Sequence, residues 1–283
     1  MMNETESKNN FQMKNATATY RGASTAGIHQ SSQEVSGICR AHKFVKPVPF
    51  NGLLTNKLLT QLPGEDFARL LPHLEPVSLS CGEDLYGFEE GIRAIYFPET
   101  AVISHLYVME DGSTTTATVI GRDGLVGLSA VLDAGTPSYY TQVIIGGSAL
   151  RVEAEVIKEA FNRGGAMQRL LLSYMNARLA QLSQRAVCNG RHKLNERLCT
   201  WLLMIHDRTG DEQLPLTHEE IGQQLGVRRA GITTGCNVLR QSGAISYRRG
   251  RIRILDRQKL EAAACECYHA LTQAIENSLS RKR

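Results

Sequence analysis

Eight arginines, Arg228, Arg229, Arg240, Arg248, Arg249, Arg251, Arg253 and Arg257, stand close together in the C-terminal third of the chain, opposed there only by Glu219, Glu220 and Asp256. Eight minus three gives this stretch a charge of +5, more than the +4 of the whole 283-residue chain. A guanidinium is a planar fork that pairs with phosphate oxygens, or with O6 and N7 of guanine at about 1–3 kcal/mol of discrimination per base. The chemistry expected here is therefore the neutralisation and reading of a nucleic-acid polyanion, not the making or breaking of bonds.

Other reactive residue types are present without a reactive pattern. The seven cysteines, Cys39, Cys81, Cys188, Cys199, Cys236, Cys265 and Cys267, are odd in number, scattered and without a CxxC pair, so reduced thiols are expected. Cys188, Cys199 and Cys236 fall in helical segments, where a small thiol packs. Cys265 and Cys267 read as one helix, on which residues i and i+2 diverge by about 200° and do not clasp a metal. His73 and His105 are the conceivable haem ligands and are read as polar residues at element ends. Tyr139 and Tyr140 are read as packing residues, not as the lining of a ligand pocket. No nucleophile stands beside a base, and "GRDGLVG" lacks the Gly-Lys-Ser of a phosphate loop. No catalysis, metal or cofactor is expected.

The basic residues need a scaffold, and the local sequence supplies one. In "LTHEEIGQQLGVRRAGITTGCNVLRQSG", Thr217 and Glu220 have the spacing of a capping box that starts a helix, and Gly226 suits its left-handed stop. A second helix begins near Arg228 with Ile232, Cys236 and Leu239 facing inward, which makes a helix-turn-helix. "AISYRR" and "RIRILD" then alternate around Arg249-Gly250 as a hairpin, a wing. Gly231 and Gly235, four apart, clear one helix face for a neighbour that is either DNA or another helix.

Upstream, residues 1–48 are polar and aperiodic and read as a disordered tail, with Met13 a conceivable start. From Asn51 two short helical segments follow, the second with Phe67, Leu70, Leu71 and Leu74 on one face. Apolar runs at intervals of about 8–12 residues, including "LVGLSAVL", then predict an antiparallel β-roll over 76–152. A long helix carries Leu172, Met175, Leu179, Leu182 and Ala186 at steps of three and four, the seam of a short coiled coil and hence a homodimer interface; the alternative is that this face packs on the chain's own β-roll. "CNGRHK", Cys188 to Lys193, is a hinge, and "LNERLCTWLLMIHDRTG" is an amphipathic helix closed by Gly210. The expected division is a β-roll sensor domain at 49–165, a dimerisation helix at 166–188, a winged helix-turn-helix at 189–270 and a tail at 271–283. No membrane span or signal peptide is read, so a cytoplasmic protein is expected.

These elements, in this order, resemble the Crp/Fnr family of bacterial transcription regulators, most strongly at "LTHEEIGQQLGVRR". The resemblance covers about residues 51–270 and implies an α+β fold: a cyclic-nucleotide-binding-like β-roll, a long dimerisation helix and a C-terminal winged helix-turn-helix. It implies double-stranded DNA with a near-palindromic operator as partner, a homodimer, contact with RNA polymerase and a small-molecule effector. By the same resemblance Arg229 matches the base-reading arginine, Arg228 the polar position before it, and Thr217 and His218 phosphate-touching positions. Ala230 and Thr234 replace the family's glutamate and later arginine, which leaves direct readout to Arg228 and Arg229. Thr233 or Thr234 is then placed to meet a phosphate or thymine methyl, and Arg248, Arg249 and Arg251 to hold the backbone from the wing. Where cyclic-AMP-binding members carry Gly-Glu and Arg-Ser pairs, this chain has Gly127-Leu128 and Pro137-Ser138-Tyr139-Tyr140, so cyclic AMP or GMP is not expected to bind. An interaction module for protein or RNA with a vestigial sensor is the rival reading.

Overall fold

The computed structural model describes residues 54–87, 90–132 and 136–280. All of them belong to one unit, Cys39–Arg283. The expected tail at 1–48 lies outside the described residues.

A 3-10 turn at Leu59–Gln61 precedes α1 (Gly64–Leu70), which yields to a second 3-10 turn at Leu71–His73. Pro72 lacks the N–H that would continue the α-helix, so the single apolar face expected from Phe67 to Leu74 is broken. Leu70 is buried while Leu71 is exposed.

Seven strands follow: β1 (Glu75–Leu79), β2 (Asp84–Tyr86), β3 (Ala94–Pro98), β4 (Val102–Val108), β5 (Thr114–Ile120), β6 (Tyr140–Ile145) and β7 (Gly147–Glu153). They pair antiparallel in two sheets, β1-β7-β3 and β2-β6-β4-β5, and so form the expected roll. Ile103, Val126, Val143 and Ala149 pack inside it. "LVGLSAVL" is not a strand: Gly127 takes φ +98°, and Leu128–Leu132 wind into a 3-10 helix. The backbone reversal at Gly127 ends the extended run that its apolar residues suggested.

Next come α2 (Ala154–Asn162) and α3 (Gly165–Arg191), 27 residues long. One face of α3 buries Met167, Leu171 and Tyr174 in the same core as Ile95, Phe97 and Leu150 of the roll. The proposed seam lies on a different face, with Leu172, Leu179 and Leu182 at 46, 65 and 41% exposure. Met175 is half-buried and Ala186 exposed. The helix carries on through Cys188 to Arg191, so the expected hinge narrows to His192 and Lys193, where ψ turns to extended values.

α4 (Leu194–Thr209) is closed by Gly210 at φ +71° and opens the C-terminal region. It is followed by β8 (Gln213–Leu214), α5 (His218–Leu225), α6 (Arg229–Gln241), β9 (Ile245–Arg248), β10 (Arg251–Ile254), α7 (Arg257–Ala263) and α8 (Cys267–Ser280). Leu198, Leu202, Ile221, Ile232, Leu239 and Ile252 form its core, which runs without a break into Val102, Val119 and Ile145 of the roll. The stretch read as a tail from 271 is helical: α8 buries Leu271 and Ile275 and lies along α3, where Ser173 Oγ donates to Ser278 O and Gln181 Nε2 to Leu271 O. Cys81 is disulfide-bonded, against the expectation of reduced thiols throughout, whereas Cys188, Cys199, Cys236, Cys265 and Cys267 are free. Spacing alone gave no sign of that bond.

Candidate nucleic-acid interface

The turn between α5 and α6 is built as its residues require. Thr217 caps α5: its Oγ1 accepts from Glu220 N at 3.2 Å, and Glu220 Oε2 accepts from Thr217 N at 2.6 Å. Gly226 stops the helix at φ +65°. Gly222 makes the tight turn possible, since a Cβ there would stand 2.7 Å from Val227 O. α6 then projects Arg228 and Arg229 into solvent at its N-terminal end and buries Ile232, Cys236 and Leu239 beneath.

Gly231 and Gly235 face protein. A Cβ at Gly231 would lie 3.0 Å from Leu194 Cδ2, and one at Gly235 would lie 2.9 Å from both Asn195 Oδ1 and Leu198 Cδ2. The cleared helix face is therefore the seat of α4, and the opposite face remains open. That open face carries Arg229, Ala230, Thr234, Asn237 and Val238, the last 46% exposed. Asn237 and Val238 were not singled out in the sequence, although the i+4 steps from Thr233 and Thr234 place them there.

The wing turns through two residues with positive φ, Arg249 at +49° and Gly250 at +74°. Positive values at both central positions are what a type I′ hairpin needs, matched to the right-handed twist of its strands. Arg248 and Arg251 pair directly across β9 and β10, so the exposed Arg248, Arg249 and Arg251 crowd the tip. Among the described residues no ion pair reaches these three, nor Arg228, Arg229 or Arg240. Two of the eight arginines are already committed. Arg253 Nη2 lies 3.5 Å from Glu212, and Arg257 is held by Asp207, Glu261 and Tyr268.

The remaining candidates serve the scaffold as well as any ligand. His218 is buried, stacks on Tyr247 with ring centroids 4.0 Å apart, and shares a 2.9 Å hydrogen bond between Nδ1 and Thr233 Oγ1. This ties α5, α6 and the wing together, and sequence reading missed Tyr247. The His218 Nε2 is buried without a hydrogen-bond partner among the described residues. Burial and then the neighbouring Arg229 hold the imidazole below its ordinary pKa, hence neutral near pH 7. Thr233 Oγ1 and Thr234 Oγ1 also donate to the carbonyls of Arg229 and Ala230 at 3.1 Å.

In the roll, Tyr139 stacks on His105 with centroids 4.2 Å apart and tilts against Tyr107 at 5.7 Å. His105 is thus an aromatic packing partner of Tyr139, not a surface residue, whereas His73 is exposed. Burial, then the charge of Arg178, lowers the His105 pKa to about 3.

Residues 196–263 match the Crp-like helix-turn-helix domain family. Among solved structures the chain is similar to FixK2 from Bradyrhizobium japonicum, at 19% identity over 68% of this chain and 98% of that one with a TM-score of 0.59. It is similar to a CRP-family transcriptional regulator from Thermus thermophilus at 19% identity over 67% and 96% of the two chains, TM-score 0.55. A second regulator from that organism, of the CRP/FNR family, shares 22% identity over 67% and 98%, TM-score 0.53. No curated protein matches the sequence. No helix among the described residues is long and apolar enough to cross a membrane. The chain therefore carries a Crp-like helix-turn-helix domain within the fold of Crp/Fnr-type transcription regulators.

Proposed function

We propose that this chain is a sequence-specific, double-stranded-DNA-binding transcription regulator that acts as a homodimer under the control of a signal at its β-roll. The observation that carries the reading is the set of exposed arginines without ion-pair partners among the described residues at two places on one winged domain, Arg228 and Arg229 opening α6 and Arg248, Arg249 and Arg251 on the wing. Arg228 and Arg229 read base edges from the first turn of α6, and the wing arginines neutralise backbone phosphates beside the same groove. The exposed Thr234 stands beside the α6 arginines to meet a thymine methyl, while Thr217, His218 and Thr233 fix the start of α6 through hydrogen bonds within the domain.

The exposed row Leu172, Met175, Leu179, Leu182 and Ala186 supports pairing with a second copy, which sets two α6 helices to enter successive major grooves about 34 Å apart on a near-palindromic site. Tyr139 and Tyr140, at the positions where the resemblance to cyclic-AMP-binding members calls for an Arg-Ser pair, support an effector other than cyclic AMP or GMP, and Tyr139 is engaged in the stack with His105. RNA polymerase is the natural further partner of such a regulator.

Selection of bound fragments from random duplex DNA by the purified full chain tests this in one experiment. Enrichment of a two-fold symmetric site, with half-sites about one helical turn apart, is the expected outcome. No enrichment over the input pool, or preferential competition by single-stranded RNA, would overturn it.

A further inference from the structure

Four side chains that the DNA-binding reading leaves unused converge where α3 ends. Cys188 lies in its last turn and His192 immediately past it, i and i+4 on one side of the helix end. Cys265 and Cys267 come from the opposite direction. The CxC does not lie within one helix: α7 ends at Ala263 and α8 begins at Cys267, and the break between them turns both thiols to the same side. The three Sγ atoms and the imidazole nitrogen all lie within 4.8 Å of one another. Cys188, Cys265 and Cys267 are buried, and His192 is half-buried.

Two of the separations match those a single tetrahedral ion imposes. Zinc bonds of about 2.3 Å to sulfur and about 2.0–2.1 Å to nitrogen, at the tetrahedral angle, place two sulfurs about 3.8 Å apart and a sulfur and nitrogen about 3.6 Å apart. Here Cys188 Sγ lies 3.6 Å from Cys265 Sγ, and Cys267 Sγ lies 3.5 Å from His192 Nδ1.

The surroundings also suit a metal. His192 directs Nε2 at Glu266 Oε1, 3.2 Å away, the carboxylate contact that orients a metal-bound imidazole. Thr200 Oγ1 stands 3.2 Å from Cys265 Sγ, and Gln184 Nε2 stands 3.0 Å from Cys267 Sγ, both placed to donate to thiolates. Three sulfurs and one nitrogen select a borderline-soft ion such as zinc over calcium or magnesium. Four protein ligands leave no open position for a reacting water, which makes the site structural.

We propose that Cys188, His192, Cys265 and Cys267 bind one zinc ion that clasps the end of the long helix α3 to the junction of α7 and α8. Binding releases the thiol protons to solvent and involves no redox step. The clasp straddles His192 and Lys193, the link from α3 to the helix-turn-helix region, and so holds that link in one geometry.

The test uses the full chain, reduced, stripped with a chelator and titrated with zinc against a chromophoric competitor. Uptake of about one equivalent per chain, at nanomolar or tighter affinity, is expected. Cobalt in place of zinc should give the visible bands of a tetrahedral thiolate complex. Cys265→Ser with Cys267→Ser should abolish uptake, while Cys267→His, which keeps four ligands, should retain most of it and so separates lost ligation from lost folding. Zinc should also raise the Tm of the wild type and leave that of the double serine variant unmoved. Uptake below about a tenth of an equivalent by folded, reduced wild type would overturn the proposal, as would equal uptake by the double serine variant. None of these readouts involves DNA, so failure here leaves the regulator reading standing, and the reverse.

Discussion

Arg229 and Arg249 are both exposed and without an ion-pair partner among the described residues, yet they should fail in different ways when removed. Arg229 sits in the first helical position of α6 and Arg249 at the wing tip, so in the proposed reading the first meets base edges and the second phosphates. Arg229→Ala should cost about 1–3 kcal/mol on the selected site and little on random duplex. Arg249→Ala should weaken both alike and reduce the salt slope by about 1. Binding isotherms at several salt concentrations check both, and equal losses from Arg229→Ala on specific and random duplex would remove its base-reading role. The two glycines of α6 make a second contrast. Alanine is favoured over glycine by about 1 kcal/mol within a helix, but the Cβ of Gly235→Ala would meet Leu198, which is fully buried and has nowhere to move. Gly235→Ala should therefore lower stability by about 1–3 kcal/mol, while Gly231→Ala, which meets only the end of the partly buried Leu194, should be near neutral by thermal denaturation. The capping box of Thr217 and Glu220 was legible because it is local in sequence. The stack of His218 on Tyr247 was not, because only the return of the wing brings the rings together.

At the scale of elements, periodicity gave most of what it can give. The strands of the roll, the run of α3 and the hairpin at Arg249-Gly250 all follow from residue spacing and turn chemistry. Three failures share one cause, a local break that periodicity does not register: Pro72 ending α1, Gly127 turning the chain into a 3-10 helix, and the gap between α7 and α8 that brings Cys265 and Cys267 together. The part of α8 from residue 271 on was read as a tail, since its apolar positions mean little until α3 is there to receive them. The step pattern of Leu172, Leu179 and Leu182 did separate the exposed face of α3 from the face that packs on the roll. A lysine in place of each of Leu179 and Leu182 puts two charges into the centre of the proposed dimer seam while disturbing nothing buried in the protomer. Sedimentation of that double variant should give half the wild-type mass at equal concentration, with the helical circular dichroism retained. An unchanged mass would mean that the copies pair elsewhere or not at all.

At the scale of the whole molecule, the roll and the helix-turn-helix region share one core and one buried ion pair, neither of which sequence patterns could show because both depend on how the two regions meet. Arg208 of α4 and Asp123, in the turn after β5, lie 2.8 Å apart with side chains 4 and 16% exposed, and Arg208 Nη1 also donates to Met204 O. Removing one partner strands the other charge, so Arg208→Ala should cost about 3–5 kcal/mol in chemical denaturation, whereas replacing both by apolar residues of similar volume, Arg208→Met with Asp123→Leu, should cost far less. The pH dependence separates this pair from the aromatic stack in the roll. Burial pushes the Asp123 carboxyl up, but Arg208, Arg178 and the Gly121 N–H outweigh it and hold the group below the ordinary value of 3.8. Its contribution is therefore intact above that value and is lost only as pH falls further. His105 behaves differently: its pKa is about 3 in the fold against 6.5 in the unfolded chain, so the unfolded state takes up a proton first as pH falls. Stability should thus decline from about pH 6.5 towards pH 4 through His105, with smaller parts from His206 and His218, whose pKa values are also lowered, before the Asp123 pair is touched. His105→Phe keeps an aromatic ring against Tyr139 and cannot titrate, so it should flatten that limb, while Arg208→Ala should lower the curve most near neutral pH, because the stranded, buried Asp123 then takes up a proton more readily as pH falls. Denaturant midpoints from pH 4 to 8 decide it, and a slope as steep in His105→Phe as in the wild type would place the acid sensitivity elsewhere in the molecule.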